Sequence, residues 1–100
     1  MTYKPLPHKG VLMKRFRYDP KSGYIYRNDL RGSAGRKARH RPIGAKHPRD
    51  GYVQIFLGGI MYQAHRIAWV LYYGWDPKGR TVTHKNGNRS DNRLENLTLT

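Results

Sequence analysis

The residues best suited to chemistry lie between 81 and 97. His84 follows the β-branched run Thr81-Val82-Thr83 and opens onto a loop of Lys, Asn, Gly, Arg, Ser and Asp, after which Leu94 and Leu97 flank Glu95-Asn96. A strand that ends on an imidazole, followed by a polar loop that turns back on it, is one way to present that ring to a phosphodiester. Asp91, Asn92 and Asn96 have side chains that satisfy loop backbone groups in place of a regular ladder. Lys85, Arg89 and Arg93 add cations with the geometry for phosphate oxygens.

The remaining candidates have blander readings. His65, beside Arg66, falls at a helix start, where a half-buried packing histidine is the simpler reading. Arg66 suits either a phosphate contact or a pairing with Asp76. His8, His40 and His47 stand in unpatterned basic surroundings, and no two have metal-ligand spacing. Trp69, Tyr72, Tyr73 and Trp75 have faces on which bases could stack, but beside an apolar helix they read first as core.

These residues need a scaffold, and the pattern predicts an α+β fold. Phe16 and Tyr18 alternate with Arg15 and Arg17, Asp19-Pro20-Lys21-Ser22-Gly23 carries turn chemistry, and Tyr24 and Tyr26 alternate beyond it. That is a β-hairpin pattern. A second hairpin runs from Gly51 to Gln63, with Gly58-Gly59 as its two-residue turn. The period then changes: Ala64, Ile67, Ala68 and Leu71 recur at helical spacing, predicting a helix over Ala64–Tyr73 that ends at Gly74. A short third hairpin presents His84. Residues 1–14, with Pro5, Pro7 and Gly10, are expected to be a flexible lead-in, leaving 15–100 as one domain. Within it, 31–49 is a basic loop and 81–100 holds the His84 motif.

Charge narrows the class of partner. Twenty Lys and Arg against six acidic residues give a net charge of +14, and the pI is near 10.6. Such a field attracts polyanions, nucleic acid first among them. A membrane-surface helix would keep its charge on one face, whereas here it is spread along the chain. The segment from Arg31 to Arg49 carries seven Lys and Arg and no acid. Arg31, Arg36, Lys37, Arg39, Arg41, Lys46 and Arg49 are therefore candidate phosphate contacts, with Arg66, Lys85, Arg89 and Arg93. There is no cysteine, hence no disulfide or thiolate metal site. No apolar run approaches the roughly 18 residues of a spanning helix, and the start is unlike a signal peptide, so a cytoplasmic protein is expected.

Taken in order, Phe16-Arg17-Tyr18-Asp19 with Ser22-Gly23, the Gly51-Tyr52 strand, Tyr62-Gln63-Ala64-His65-Arg66-Ile67-Ala68-Trp69 and the His84–Leu97 segment resemble phage-type HNH endonucleases, relatives of intron-borne homing enzymes. The resemblance implies a ββα-metal site acting on double-stranded DNA, with Mg²⁺ or Mn²⁺ as cofactor. It implies His84 as the general base toward water and Asn96 as the residue that ties the loop to the histidine strand. Two departures accompany it. Thr83 occupies the position where relatives commonly carry a metal-binding Asp, and a hydroxyl is a weak ligand for Mg²⁺. The helix bearing the family's second ligand is expected after Leu97, and this sequence runs to Thr100. Two readings follow: a metal-assisted DNA endonuclease, or a catalytically incomplete relative, needing no metal, that acts as a DNA-binding or regulatory protein.

Overall fold

In the computed structural model of the chain, residues 6–28, 42–77 and 79–100 are described. The candidate contacts Arg31, Arg36, Lys37, Arg39 and Arg41 fall outside them. The architecture is α+β: the described residues form two helices and three small antiparallel sheets, in chain order α1 (Lys9–Arg15), β1 (Phe16–Tyr18), β2 (Ile25–Arg27), β3 (Ala45–Lys46), β4 (Val53–Leu57), β5 (Ile60–Gln63), α2 (Ala64–Tyr73), β6 (Val82–His84), a 3₁₀ turn (Leu94–Asn96) and β7 (Leu97–Leu99).

The hairpins follow from their turns. Gly58 and Gly59 adopt φ of 60° and 80°, the left-handed pair that a two-residue turn between right-twisted strands requires. Ile55 then pairs with Tyr62, and both point into the core. In the first hairpin Phe16 pairs with Arg27 and Tyr18 with Ile25. Its buried residues are Phe16 and Ile25. Tyr24 is exposed, and Tyr26 lies under the Arg17 guanidinium, 4.9 Å from its ring centroid. The aromatic alternation thus marks a hairpin, but its second strand turns the aliphatic residue inward.

Helix α2 spans the predicted residues and stops where Gly74 takes φ 80° and its N–H closes on the Val70 carbonyl at 2.8 Å. Its burial is broader than one stripe. Ala64, His65, Ile67, Ala68, Trp69 and Val70 are all buried, while Leu71 is only partly so. The helix packs against α1 as well as β1, β4, β5 and β6, so more than one of its faces is covered.

Two expectations are corrected. Part of the predicted lead-in is helix α1: His8 Nδ1 accepts from the Gly10 N–H at 3.0 Å, and Leu12 is fully buried against the core. Burying a leucine contributes roughly 1.5–3 kcal/mol, enough to hold a helix too short to persist alone. The described part of the basic segment, 42–49, is also not all loop. Ile43 N–H donates to the Ile25 carbonyl at 2.8 Å, and β3 adds Ala45 and Lys46 to the edge of β4. A two-residue strand leaves no periodicity to see.

Candidate active site around His84

The site begins with the β6–β7 hairpin. Val82 pairs with Leu99, Thr83 with Thr98 and His84 with Leu97. Val82 and Leu97 are buried, anchoring the hairpin from below and setting His84, half-buried, at its open end. The next N–H, that of Lys85, donates to the Asn96 carbonyl at 2.8 Å and ends the ladder there.

The loop from 85 to 93 has no regular structure, yet its polar groups are closely matched. Asn96, buried at 4% exposure, accepts from the Asn86 N–H through Oδ1 at 2.9 Å. Its Nδ2 donates to Asn86 Oδ1 at 2.9 Å and to the Asp91 carbonyl at 2.8 Å. One amide therefore joins both ends of the loop. Asn86 Oδ1 also accepts from the Asn88 N–H, and Asn88 Oδ1 from the Ser90 N–H and hydroxyl. Each is the local side-chain turn that Asn offers a backbone without other partners.

Asp91 and Arg93 form a fork: Nε to Oδ1 at 2.9 Å and a terminal nitrogen to Oδ2 at 2.8 Å, with Glu95 taking the other terminal nitrogen at 2.7 Å. The Arg93 hydrogen bonds hold the Asp91 carboxyl well below its ordinary range. Arg93, read from sequence as a phosphate contact, is thus engaged in its own loop.

Around the imidazole the structure gathers groups that sequence left apart. His84 Nε2 lies 2.7 Å from Asn92 Oδ1, and Asn92 is 4% exposed. The Asn92 side chain therefore serves the histidine rather than the backbone. His65 projects from the first turn of α2 and meets His84 edge-on, ring centroids 4.9 Å apart. Tyr52 stacks on His65 at 5.2 Å and tilts toward His84 at 5.9 Å. His65 is buried more deeply than expected, at 3% exposure, and its Nδ1 has no hydrogen-bond partner among the described residues. Burial, reinforced by His84 and Arg66, pushes its pKa down to about 3, so the ring is neutral at neutral pH. The sequence signal for His65 was its place at the head of the helix, but only the crossing of α2 over the hairpin puts it against His84.

A basic rim borders this cluster. Arg89 lies over the Tyr52 ring, 4.8 Å from its centroid, and donates to the Asp50 carbonyl at 3.3 Å. Lys46 and Arg89 both approach Gly51, whose Cβ would stand 3.8 Å from one and 3.9 Å from the other. Lys46, Arg49, Lys85 and Arg89 are exposed, and Arg66 is half-buried beside His65. His8 and His47 each cap a local turn, His47 Nδ1 accepting from the Arg49 N–H at 3.2 Å, and the His47 N–H donates to the Tyr52 carbonyl at 2.7 Å. Tyr72, Tyr73 and Trp75 are exposed, whereas Trp69 is buried between Tyr73 and Trp75.

The turn of the first hairpin braces the loop from below. The Tyr18 hydroxyl donates to the Asn92 carbonyl at 2.5 Å, and the Leu94 N–H donates to the Pro20 carbonyl at 3.0 Å. Gly23 fits flush against this backbone: a Cβ there would fall 2.4 Å from Arg93 N and 2.5 Å from the Asn92 carbonyl carbon.

A divalent metal needs a set of hard donors, and these residues do not compose one. No group of three His, Cys, Asp or Glu is placed to hold an ion among the described residues. The Thr83 hydroxyl faces the Thr98 carbonyl at 3.4 Å, and Asp91 is paired with Arg93.

Residues 62–100 match the sequence model of the HNH endonuclease family. No curated protein matches the sequence. Among solved structures, one that reports DNA binding and cleavage by the HNH homing endonuclease I-HmuI is similar to this chain, with a TM-score of 0.56 at 24% identity. The match covers 86% of this chain and 46% of that one, so this chain spans about half the length of that enzyme.

Proposed function

Because this chain is a relative of the HNH endonucleases by its 62–100 segment and its fold, we propose that it is a DNA endonuclease in which His84 is the general base. The observation that carries this reading is the fixed imidazole. His84 sits at the mouth of a hairpin whose loop is tied at both ends by Asn96, with one ring nitrogen on Asn92 and the ring face against His65 and Tyr52. A held ring with one nitrogen available can accept a proton without the cost of organising itself first.

Lys46, Arg49, Lys85 and Arg89, with Arg66 and the cations of 31–41, would hold the phosphates of double-stranded DNA. Water would give its proton to His84 as its oxygen bonds to phosphorus. The bond from phosphorus to the 3′ oxygen would break, and that oxygen would take a proton from solvent. The described residues do not compose a divalent-metal site.

One observation favours a second reading, DNA binding without cleavage. Thr83 has a hydroxyl turned to the Thr98 carbonyl where the family commonly has a carboxylate. Nicking of supercoiled plasmid with Mg²⁺ or Mn²⁺, comparing the chain with His84→Ala, separates the two. The endonuclease reading expects nicking that falls about 10²- to 10⁴-fold in the variant. Binding by both proteins with nicking by neither establishes the second reading, and nicking that survives His84→Ala removes His84 as the base.

A further inference from the structure

A neutral imidazole has two nitrogens, only one of which is bare, and a base at His84 works only if the bare one faces the substrate. We propose that Asn92 is a positioning residue that sets this choice: its Oδ1 holds the hydrogen on His84 Nε2 and leaves Nδ1 as the proton acceptor. The proposal rests on the endonuclease reading for its catalytic meaning, whereas the tautomer itself does not depend on it.

Three features carry the argument. The contact of 2.7 Å between Nε2 and Oδ1 is short for a nitrogen–oxygen hydrogen bond, and an amide oxygen can only accept. Nε2 must then carry the hydrogen, which leaves Nδ1 with a lone pair. Second, Asn92 is 4% exposed, so solvent offers little competition for that oxygen. Third, the residue cannot drift. Its carbonyl accepts from the Tyr18 hydroxyl, and its main-chain carbonyl carbon lies 2.5 Å from where a Cβ on Gly23 would stand. Tyr52 and His65 flank the imidazole ring, and burial keeps His65 uncharged, so the neighbouring ring brings no positive charge beside the base. The arrangement parallels metal-binding histidines, whose second nitrogen is held by an outer partner that fixes the tautomer.

The test is ¹⁵N NMR of the histidine side chains in the full chain, above the pH at which imidazole titrates. Protonated and bare ring nitrogens resonate far apart, and a hydrogen-bonded Nε2–H gives a slowly exchanging proton signal. The expected result is a single Nε2–H tautomer for His84 with that signal present. In Asn92→Leu the signal is lost and both neutral tautomers are populated, while Asn92→Asp, which still accepts, retains signal and tautomer. An Nδ1–H tautomer in the parent chain overturns the proposal, since it would mean that the amide is turned with its NH₂ toward the ring. So does an Asn92→Leu protein, folded by its thermal melt, that keeps a pure, slowly exchanging Nε2–H. If Asn92→Leu fails to fold, the parent chain and Asn92→Asp decide. Where the parent chain nicks DNA, Asn92→Leu should lose about 10- to 100-fold in rate and Asn92→Asp far less. A parent chain that shows the Nε2–H tautomer yet never nicks would remove the endonuclease reading and leave the tautomer assignment standing.

Discussion

His65 shows what one buried ring costs and supplies. Closed off from water between Tyr52 and His84, it titrates at about 3 in the folded chain instead of near the ordinary imidazole value of about 6.5. As pH falls, the unfolded chain takes up this proton first. The stability due to neutral His65 is therefore complete above about pH 6.5 and lost progressively as pH drops toward 3, amounting to a few kcal/mol over the whole window. Asp91 and Asp19, held below the ordinary carboxylate range by hydrogen bonds from Arg93 and Ser22, lose their contribution only below about pH 4. Melting temperature should thus fall between about pH 6 and pH 4 in the parent chain and hold nearly level in His65→Phe, which keeps a ring in the stack. An equal slope in both proteins would remove His65 as the cause. The contrast with Asn96 explains what is legible at this scale. Asn96 is bonded to Asn86 and Asp91, ten and five positions away, and so shows in the sequence as a local motif. The approach of His65 to His84 depends on the angle at which a helix lies over a hairpin, which no spacing records.

Among the elements, the turn between β1 and β2 bears on the site most directly. Gly23 and Gly58 both have positive φ, at 80° and 60°, but only Gly23 is packed against another backbone. A side chain at either position meets the left-handed penalty of about 1–2 kcal/mol. At Gly23 it must also push apart the chain at Asn92 and Arg93, whereas at Gly58 nothing lies within 4 Å. Gly58→Ala should therefore lower the melting temperature by several degrees, about 4–8 °C per kcal/mol for a domain of this size. Gly23→Ala should lower it by at least twice as much, and equal melting points would show that the brace yields freely. Elements with a repeating pattern could be read before the structure: α2 from its helical period and Gly74, the second hairpin from Gly58-Gly59. Helix α1 could not, because Gly10 and the nearby Pro5 and Pro7 argue against it locally and Leu12 stabilises it only through the core.

For the molecule as a whole, net charge is the feature that sequence conveys most directly, and it yields a quantitative expectation. If roughly 5 to 8 phosphates are neutralised, the logarithm of DNA affinity should fall with the logarithm of salt at a slope of about −4.5 to −7. Replacing Lys46, Lys85 and Arg89 together by Ala should flatten that slope by about 2 to 3 and weaken binding to all sequences alike. A flat titration for the parent chain would exclude nucleic acid as the partner. The bond from Tyr18 to Asn92 has a further consequence, in the order of assembly. It joins residues 74 positions apart, whereas β6 and β7 pair within one short hairpin. Long loops close late because their entropy must be lost before the contact can form. The histidine strand can therefore exist before its loop is braced, and a folding chain should show the β6–β7 pairing in hydrogen exchange earlier than it fixes Asn92. On mild heating the sequence should reverse, and the site would fall silent while the hairpin that bears its histidine is still intact.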